Sequence, residues 1–296
     1  MTWLQQLVQP DMLRNDQVIN ALQAGAVVAI VSALLGFFVV LRGLAFAGHA
    51  ITDIGFTGAA GAVLAGVHPL WGMLSCCVVA AVGIDLLGER ARERDVATGV
   101  VLALALGLGA LFLSVSTRFV STPSALLFGS IFSVEPALTG VMTLIGGLCL
   151  LVLAVLYRPL MFCSVAPQAA AARGVPVQLI GVVFLIVMAV AVAEAAQVVG
   201  VLLSTALLIG PAATATYLTH RAGLALLLAA VVGVLETWLG IVLAYDSYGW
   251  PPGGKGWPVS FFITVLALGV YLLARLARPA ERRPAYTPSR PAPADA

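Results

Sequence analysis

The chain has 296 residues, 61% of them hydrophobic and 9% charged, with a net charge of +2 and a mean hydropathy of +1.07. A soluble domain is about 45–50% apolar and about 25% charged, so this composition excludes a water-soluble fold. The chain carries no basic stripe with interleaved aromatic residues, which speaks against a nucleic-acid partner.

Crossing a hydrocarbon core of about 30 Å takes about 20 apolar residues in a helix, and such runs recur from Val18 to the neighbourhood of Ala277. Runs such as 99–115 and 181–193 do not alternate as barrel strands would, and helices are the remaining way to satisfy a backbone in lipid. The pattern reads as an all-α polytopic membrane protein with about eight to nine transmembrane helices.

In chain order, residues 1–17 read as an N-terminal extracytoplasmic segment, without the basic n-region and cleavage site of a signal peptide. Spans follow at about 18–41, 44–65, 69–88, 97–117, 137–157, 177–196, 199–218, 222–245 and 259–277. Gln197 and Gly200 mark either a tight turn or a helix that stops short of a full crossing. The membrane domain is thus 18–277, and residues 278–296, rich in Pro, Ala and Arg, read as a disordered cytoplasmic tail. The apolar pattern breaks between Tyr157 and Val177, where Pro167 is placed to start a short helix and Gly174 to end it. The segment 89–95 is a charged cap before a span. Cys76, Cys77, Cys149 and Cys163 have neither zinc-finger spacing nor a disulfide pattern and read as small core residues.

Alternating the loops puts Arg42, Arg90, Arg92, Arg94, Arg158, Arg173, Arg221 and every arginine from Arg275 onward on one side, 12 of the 15 Lys and Arg. Arg14, Arg118 and Lys255 fall on the other. By the positive-inside rule the first side is cytoplasm, so the N-terminus lies outside, the C-terminus inside, and the number of crossings is odd.

The stretch 41–61 holds the most chemistry. His49 and Asp53 are four apart and share a helix face. Counted from Arg42 at about 1.5 Å per residue, they lie roughly 10–17 Å into the bilayer. Ionisable groups at that depth are costly unless partnered and point to function. From spacing alone the pair reads equally as buried polar glue between helices or as metal ligands. Nitrogen and oxygen donors suit Zn²⁺, Mn²⁺ or Fe²⁺ better than soft Cu⁺. Gly48, Gly55, Gly58 and Gly61 on the same helix permit close helix approach.

Glu194 and Glu236 are the other acidic residues deep in apolar sequence. Beside Gln197, Glu194 reads as a pore residue and candidate metal ligand or, slightly favoured, as a solvated residue at a turn. Gly210-Pro211 interrupts an apolar run as a packing kink or as the edge of a cavity. No catalytic set is present, and no GxxxxGK[ST] phosphate loop exists, so ATP, if used, binds another chain.

At these residues the sequence resembles the permeases of zinc and manganese ABC importers, the family often called ABC-3, from about Ala21 to Leu273. The carriers are Leu41-Arg42, Gly48-His49-Ala50-Ile51-Thr52-Asp53, the helix opening 94–101, Leu126-Leu127-Phe128-Gly129, and above all 199–203 with 206–215. The resemblance implies an importer permease for Zn²⁺ or Mn²⁺, with Fe²⁺ also compatible, in the bacterial inner membrane. His49 stands where the family usually has Asp, and Asp53 where it usually has His. The loop 164–176 aligns with the family's coupling helix, which implies that Pro167, Gln168, Ala170, Ala171 and Gly174 face an ATPase. Pro167-Gln168 lacks the acidic residue often found there.

The resemblance also implies a homodimer in membrane lipid, two cytoplasmic ATP-binding subunits and an extracytoplasmic metal-binding protein, with no permanently bound cofactor and only the transported metal ion. Two copies of the helix would bring two His49 and two Asp53 together. The alternatives are an ATP-independent secondary transporter or channel with His49 and Asp53 as a proton relay, and an importer of a siderophore or vitamin.

Overall fold

Long runs of Leu, Val and Ala, interrupted by little that competes for backbone hydrogen bonds, form helices throughout this computed structural model, which describes residues 15–87, 91–115, 129, 131–133, 136–249 and 256–277. The helices are α1 (Asp16–Leu41), α2 (Ala45–Leu64), α3 (Pro69–Leu87), α4 (Ala91–Val115) and α5 (Pro136–Val165), followed by the short α6 (Pro167–Ala172). The chain goes on with α7 (Val177–Val199), α8 (Val201–Leu218), α9 (Ala222–Asp246) and α10 (Val259–Ala277). There is no strand among the described residues. The expectations for residues 1–14, for the tail 278–296 and for 126–128 lie outside the described residues.

Six helices, α1, α4, α5, α7, α9 and α10, are long and apolar enough to cross a membrane, and 69–84 and 203–218 are shorter apolar helices. The ninth long helix, α2, is set apart by His49, Thr52, Asp53 and Thr57. The expected spans agree with these helices in number and order. Two stretches differ. The charged segment 91–95 is already helical as the start of α4. The break expected after Tyr157 does not occur, because α5 continues through Pro159 to Val165. A proline costs one backbone hydrogen bond and a ring clash, which weakens a helix in water; in membrane helices neighbouring groups satisfy the freed carbonyl.

α1 is the central post. Asn15 caps it by accepting from the Gln17 amide at 3.0 Å, with Asp16 in the first turn. It buries residues from Val18 to Val39 against α5, α7, α8 and α9. α9 runs antiparallel to it: Gly25 sits opposite Thr237 and Ile241, and Gly233 opposite Ala29 and Ala33. Phe38 anchors the end of this core near the C-terminus of α1, edge-on to Tyr157 at 6.1 Å and to Phe184 at 6.2 Å, while the Arg42 guanidinium lies 5.5 Å over the Phe184 ring.

A single residue, Gly200, joins α7 to α8 with φ +92°, a value that favours glycine. Gly129, at φ +75°, abuts this junction so closely that a Cβ there would collide with the Val199 carbonyl group and the Gly200 amide. Gln197 and Gly200 therefore mark a tight turn between two helices.

Glycine also sets the α1–α8 spacing, since a methyl group on Gly36 would overlap the Leu208 carbonyl. Gly36→Ala is expected to cost about 1–3 kcal/mol through overpacking, seen as a lower thermal midpoint of the purified protein. Gly83→Ala, inside a helix and with nothing within 4 Å of the added atom, is the control and should leave the midpoint unchanged or raise it.

Candidate functional site

Helix α2 is wrapped on most of its circumference. Gly55 lies against Cys77 and Met73, and Gly58 against Gly72 and Cys76, all on α3. Thr57 donates to the Ala105 carbonyl of α4 at 2.6 Å. Gly48 faces Leu208 of α8, whose Cδ2 would lie 3.1 Å from an added methyl. The Cys77 thiol donates to the Ile51 carbonyl at 3.4 Å. Small residues at these positions allow helices to approach closely, which is how membrane helices gain packing without a hydrophobic drive.

His49 and Asp53 occupy the remaining face. The His49 Nε2 lies 3.4 Å from Asp53 Oδ2, with the histidine side chain 47% exposed and the aspartate 10%. One member of the pair is thus held in the helix bundle and the other reaches out of it. His49 opens on a groove of about 430 Å³ lined by Thr205, Ile209, Gly210 and Ala213 of α8 and by Thr264, Ala267 and Tyr271 of α10. Gly210 brings the helices together here, a methyl on it lying 3.1 Å from Ala267 Cβ, and α8 continues past Pro211 with the proline ring against Gly233. The tyrosine at the arginine-rich end of the groove, Tyr271, stacks edge-on with Tyr217 at 5.5 Å.

Thr205, Thr264 and Tyr271 were not singled out in the sequence. The signal that could have found them is a polar side chain recurring on two apolar helices at matching distance from their ends.

Glu194 lies elsewhere. It is 3% exposed, and its carboxylate points at Gly146 of α5. That corrects the reading of a solvated residue at a turn: α7 continues past it to Val199, and α1 and α5 cover it. Glu236 on α9 is 2% exposed, and neither carboxylate has a hydrogen-bond partner among the described residues. No group of three or more His, Cys, Asp or Glu converges among the described residues, so Glu194 is not brought to His49 and Asp53. The four cysteines are free thiols, three of them buried.

The loop 164–176 does contain a helix, α6, opened by Pro167 and followed by Gly174 at φ +78°. Ala170 is fully buried against its own chain, whereas Gln168, Ala171 and Gly174 are exposed.

The sequence matches the ABC 3 transport family over residues 14–276. The chain belongs to that family. It is 32% identical over 230 residues to the manganese transport system membrane protein MntC of Halalkalibacterium halodurans, covering 77% of this chain and 79% of the relative. It is 29% identical over 228 residues to the manganese import system permease protein ScaB of Streptococcus gordonii, covering 77% and 82%. Among solved structures, it superposes on a chain of PsaBC from Streptococcus pneumoniae in complex with Fab, with TM-score 0.80, 25% identity and coverage of 92% and 96%. An inward-facing putative metal-chelate type ABC transporter shares the fold at TM-score 0.71 and 17% identity. This family member is therefore a multi-pass membrane permease.

His49→Asp combined with Asp53→His restores the donor order usual in the resembling family. If the pair holds an ion as a set, the double exchange keeps divalent-ion binding where either single Ala substitution loses it, as measured by titration of the purified permease. Loss of binding in the exchanged protein, with a normal elution profile, would show that position matters as much as identity.

Proposed function

We propose that the chain is the permease subunit of an ATP-driven importer of a divalent transition metal, with Mn²⁺ the best-supported cargo. The observation that carries this reading is the His49–Asp53 pair, 3.4 Å apart and open to a groove, in a member of a transport family. Imidazole and carboxylate donors suit Mn²⁺, Zn²⁺ and Fe²⁺ alike, and the names of the MntC and ScaB relatives favour manganese among them.

Two donors per chain hold an ion weakly. A second copy facing the first across the exposed His49 side would supply another pair, giving up to four protein donors around a two-fold axis. Thr205 and Thr264 hydroxyls, or water, complete the shell along the groove. Loose coordination suits transport, because the ion must leave as readily as it enters. The secondary-transporter reading gains nothing from these contacts.

The chain has no nucleotide loop of its own, so two ATP-binding subunits supply the energy from the arginine-rich side, which is the cytoplasm by the positive-inside rule. An extracytoplasmic metal-binding protein delivers the ion to the opposite face of the bacterial inner membrane. Motion enters through α6, whose buried Ala170 ties it to the bundle while Gln168 and Ala171 face outward. A short helix tied at one point moves as a lever.

His49→Ala and Asp53→Ala should each reduce Mn²⁺ uptake by cells to background with membrane insertion and oligomeric state intact. Wild-type uptake by both variants would remove the ligand role. Ala171→Asp should lower uptake and stimulated ATP hydrolysis together while ion binding by the purified permease persists. Undiminished ATPase stimulation in that variant would rule out α6 as the coupling element.

A further inference from the structure

α5 and α9 both pack on α1 with little contact between them, and this leaves an apolar channel whose floor is α1. Its first depression, about 380 Å³, has Leu34 and Phe38 as floor, Leu153, Ala154 and Tyr157 on one wall and Leu226 on the other. A second, about 260 Å³, continues it between Ile30 of α1 and Ala230, Val231 and Val234 of α9. The two lie in line. Ile30, Leu34 and Phe38 are successive turns of α1, and Leu226, Ala230 and Val234 are successive turns of the antiparallel α9. From Leu226 to Val234 the track is about 12 Å long at 1.5 Å per residue, close to the roughly 15 Å of one leaflet, half a hydrocarbon core of about 30 Å.

The mouth of the track is basic. Arg158 follows Tyr157 on α5, and Arg221 is the N-cap residue of α9, one turn before Leu226; both are exposed. Neither guanidinium forms an ion pair among the described residues. No acidic residue stands in the first turn of α9, α5 has none at all, and the only one on α1 is Asp16 at its far end. An aliphatic track one leaflet deep that begins between two exposed arginines matches an acyl chain joined to a negative headgroup. Positively charged residues at the cytoplasmic surface attract the anionic lipids of that leaflet.

We propose that this channel is a binding site for one anionic phospholipid of the cytoplasmic leaflet, its phosphate held by Arg158 and Arg221 and one acyl chain lying along Leu226, Ala230 and Val234. The bound lipid fills the gap between α5 and α9, bracing both helices against α1. The site is separate from the His49 groove and does not depend on the identity of the cargo.

The test is native mass spectrometry of the full-length purified permease after exchange into detergent with equal phosphatidylglycerol and phosphatidylcholine. The unmodified protein should retain one phosphatidylglycerol in preference to phosphatidylcholine. Each arginine near an anionic surface contributes about a fivefold factor, so R158Q with R221Q should reduce phosphatidylglycerol retention on the order of tenfold or more and leave phosphatidylcholine retention unchanged. Ala154→Phe, at an exposed position on the track wall, should reduce retention of both lipids by obstructing the acyl chain. Matching elution profiles and thermal midpoints for all variants separate lipid loss from misfolding. Equal retention of the two lipids by the unmodified protein, or retention of phosphatidylglycerol unaffected by the arginine pair or by Ala154→Phe, would overturn the proposal.

Discussion

A histidine and an aspartate one turn apart on a membrane helix set the constraint around which the other helices are arranged. A helix bearing His49, Asp53, Thr52 and Thr57 is poorly suited to face lipid, where every polar group costs free energy unless partnered. It must be enclosed by protein. The enclosure is made by small residues: Gly55 and Gly58 admit α3, Gly48 admits α8, and Thr57 finds the Ala105 carbonyl of α4. α2 is accordingly among the most completely buried helices, although it is less apolar than the six clear spans. Packing and polarity are here one requirement, since the glycines that bring helices close also exclude lipid from the carboxylate.

Enclosure is incomplete on one face, and that face holds the pair to which the proposed function assigns the ion. Asp53 is held inside while His49 protrudes into the groove between α8 and α10. Glycine at 210 and proline at 211 place the α8 backbone close to α10 and α9 at the same level. In the proposed function this pair forms half of a coordination sphere, and a second copy of the chain would supply the other half. The buried carboxylates Glu194 and Glu236 do not contribute to it. They sit in separate packing layers, one facing α5 and the other within α9's buried stripe.

Much of this was legible in the sequence. The nine apolar segments, the shared face of His49 and Asp53, and the short helix that begins at Pro167 follow from local periodicity and end signals. What local signals missed was set by neighbours. Pro159 reads as a helix breaker because proline rules weigh one chain in water, yet α5 carries on to Val165 within the bundle. Glu194 beside Gln197 and Gly200 resembles a wet turn, and only the cover given by α1 and α5 makes it buried. The alanines of α6 are equivalent by composition; contact with the bundle singles out Ala170 as the inward one. Which side of α2 stays open is also a property of tertiary packing, because glycine positions mark close approach without naming the helix that approaches.

The central claim is that one ion is held between two copies of this chain by the paired His49 and Asp53. Continuous-wave and pulsed electron paramagnetic resonance of Mn²⁺ bound to the purified permease tests it most directly, because it reads both stoichiometry and nitrogen coordination. The account predicts one Mn²⁺ per two chains with hyperfine coupling to imidazole nitrogen, abolished by His49→Ala. One tightly bound Mn²⁺ per single chain, or a bound ion with no nitrogen coupling, would contradict it.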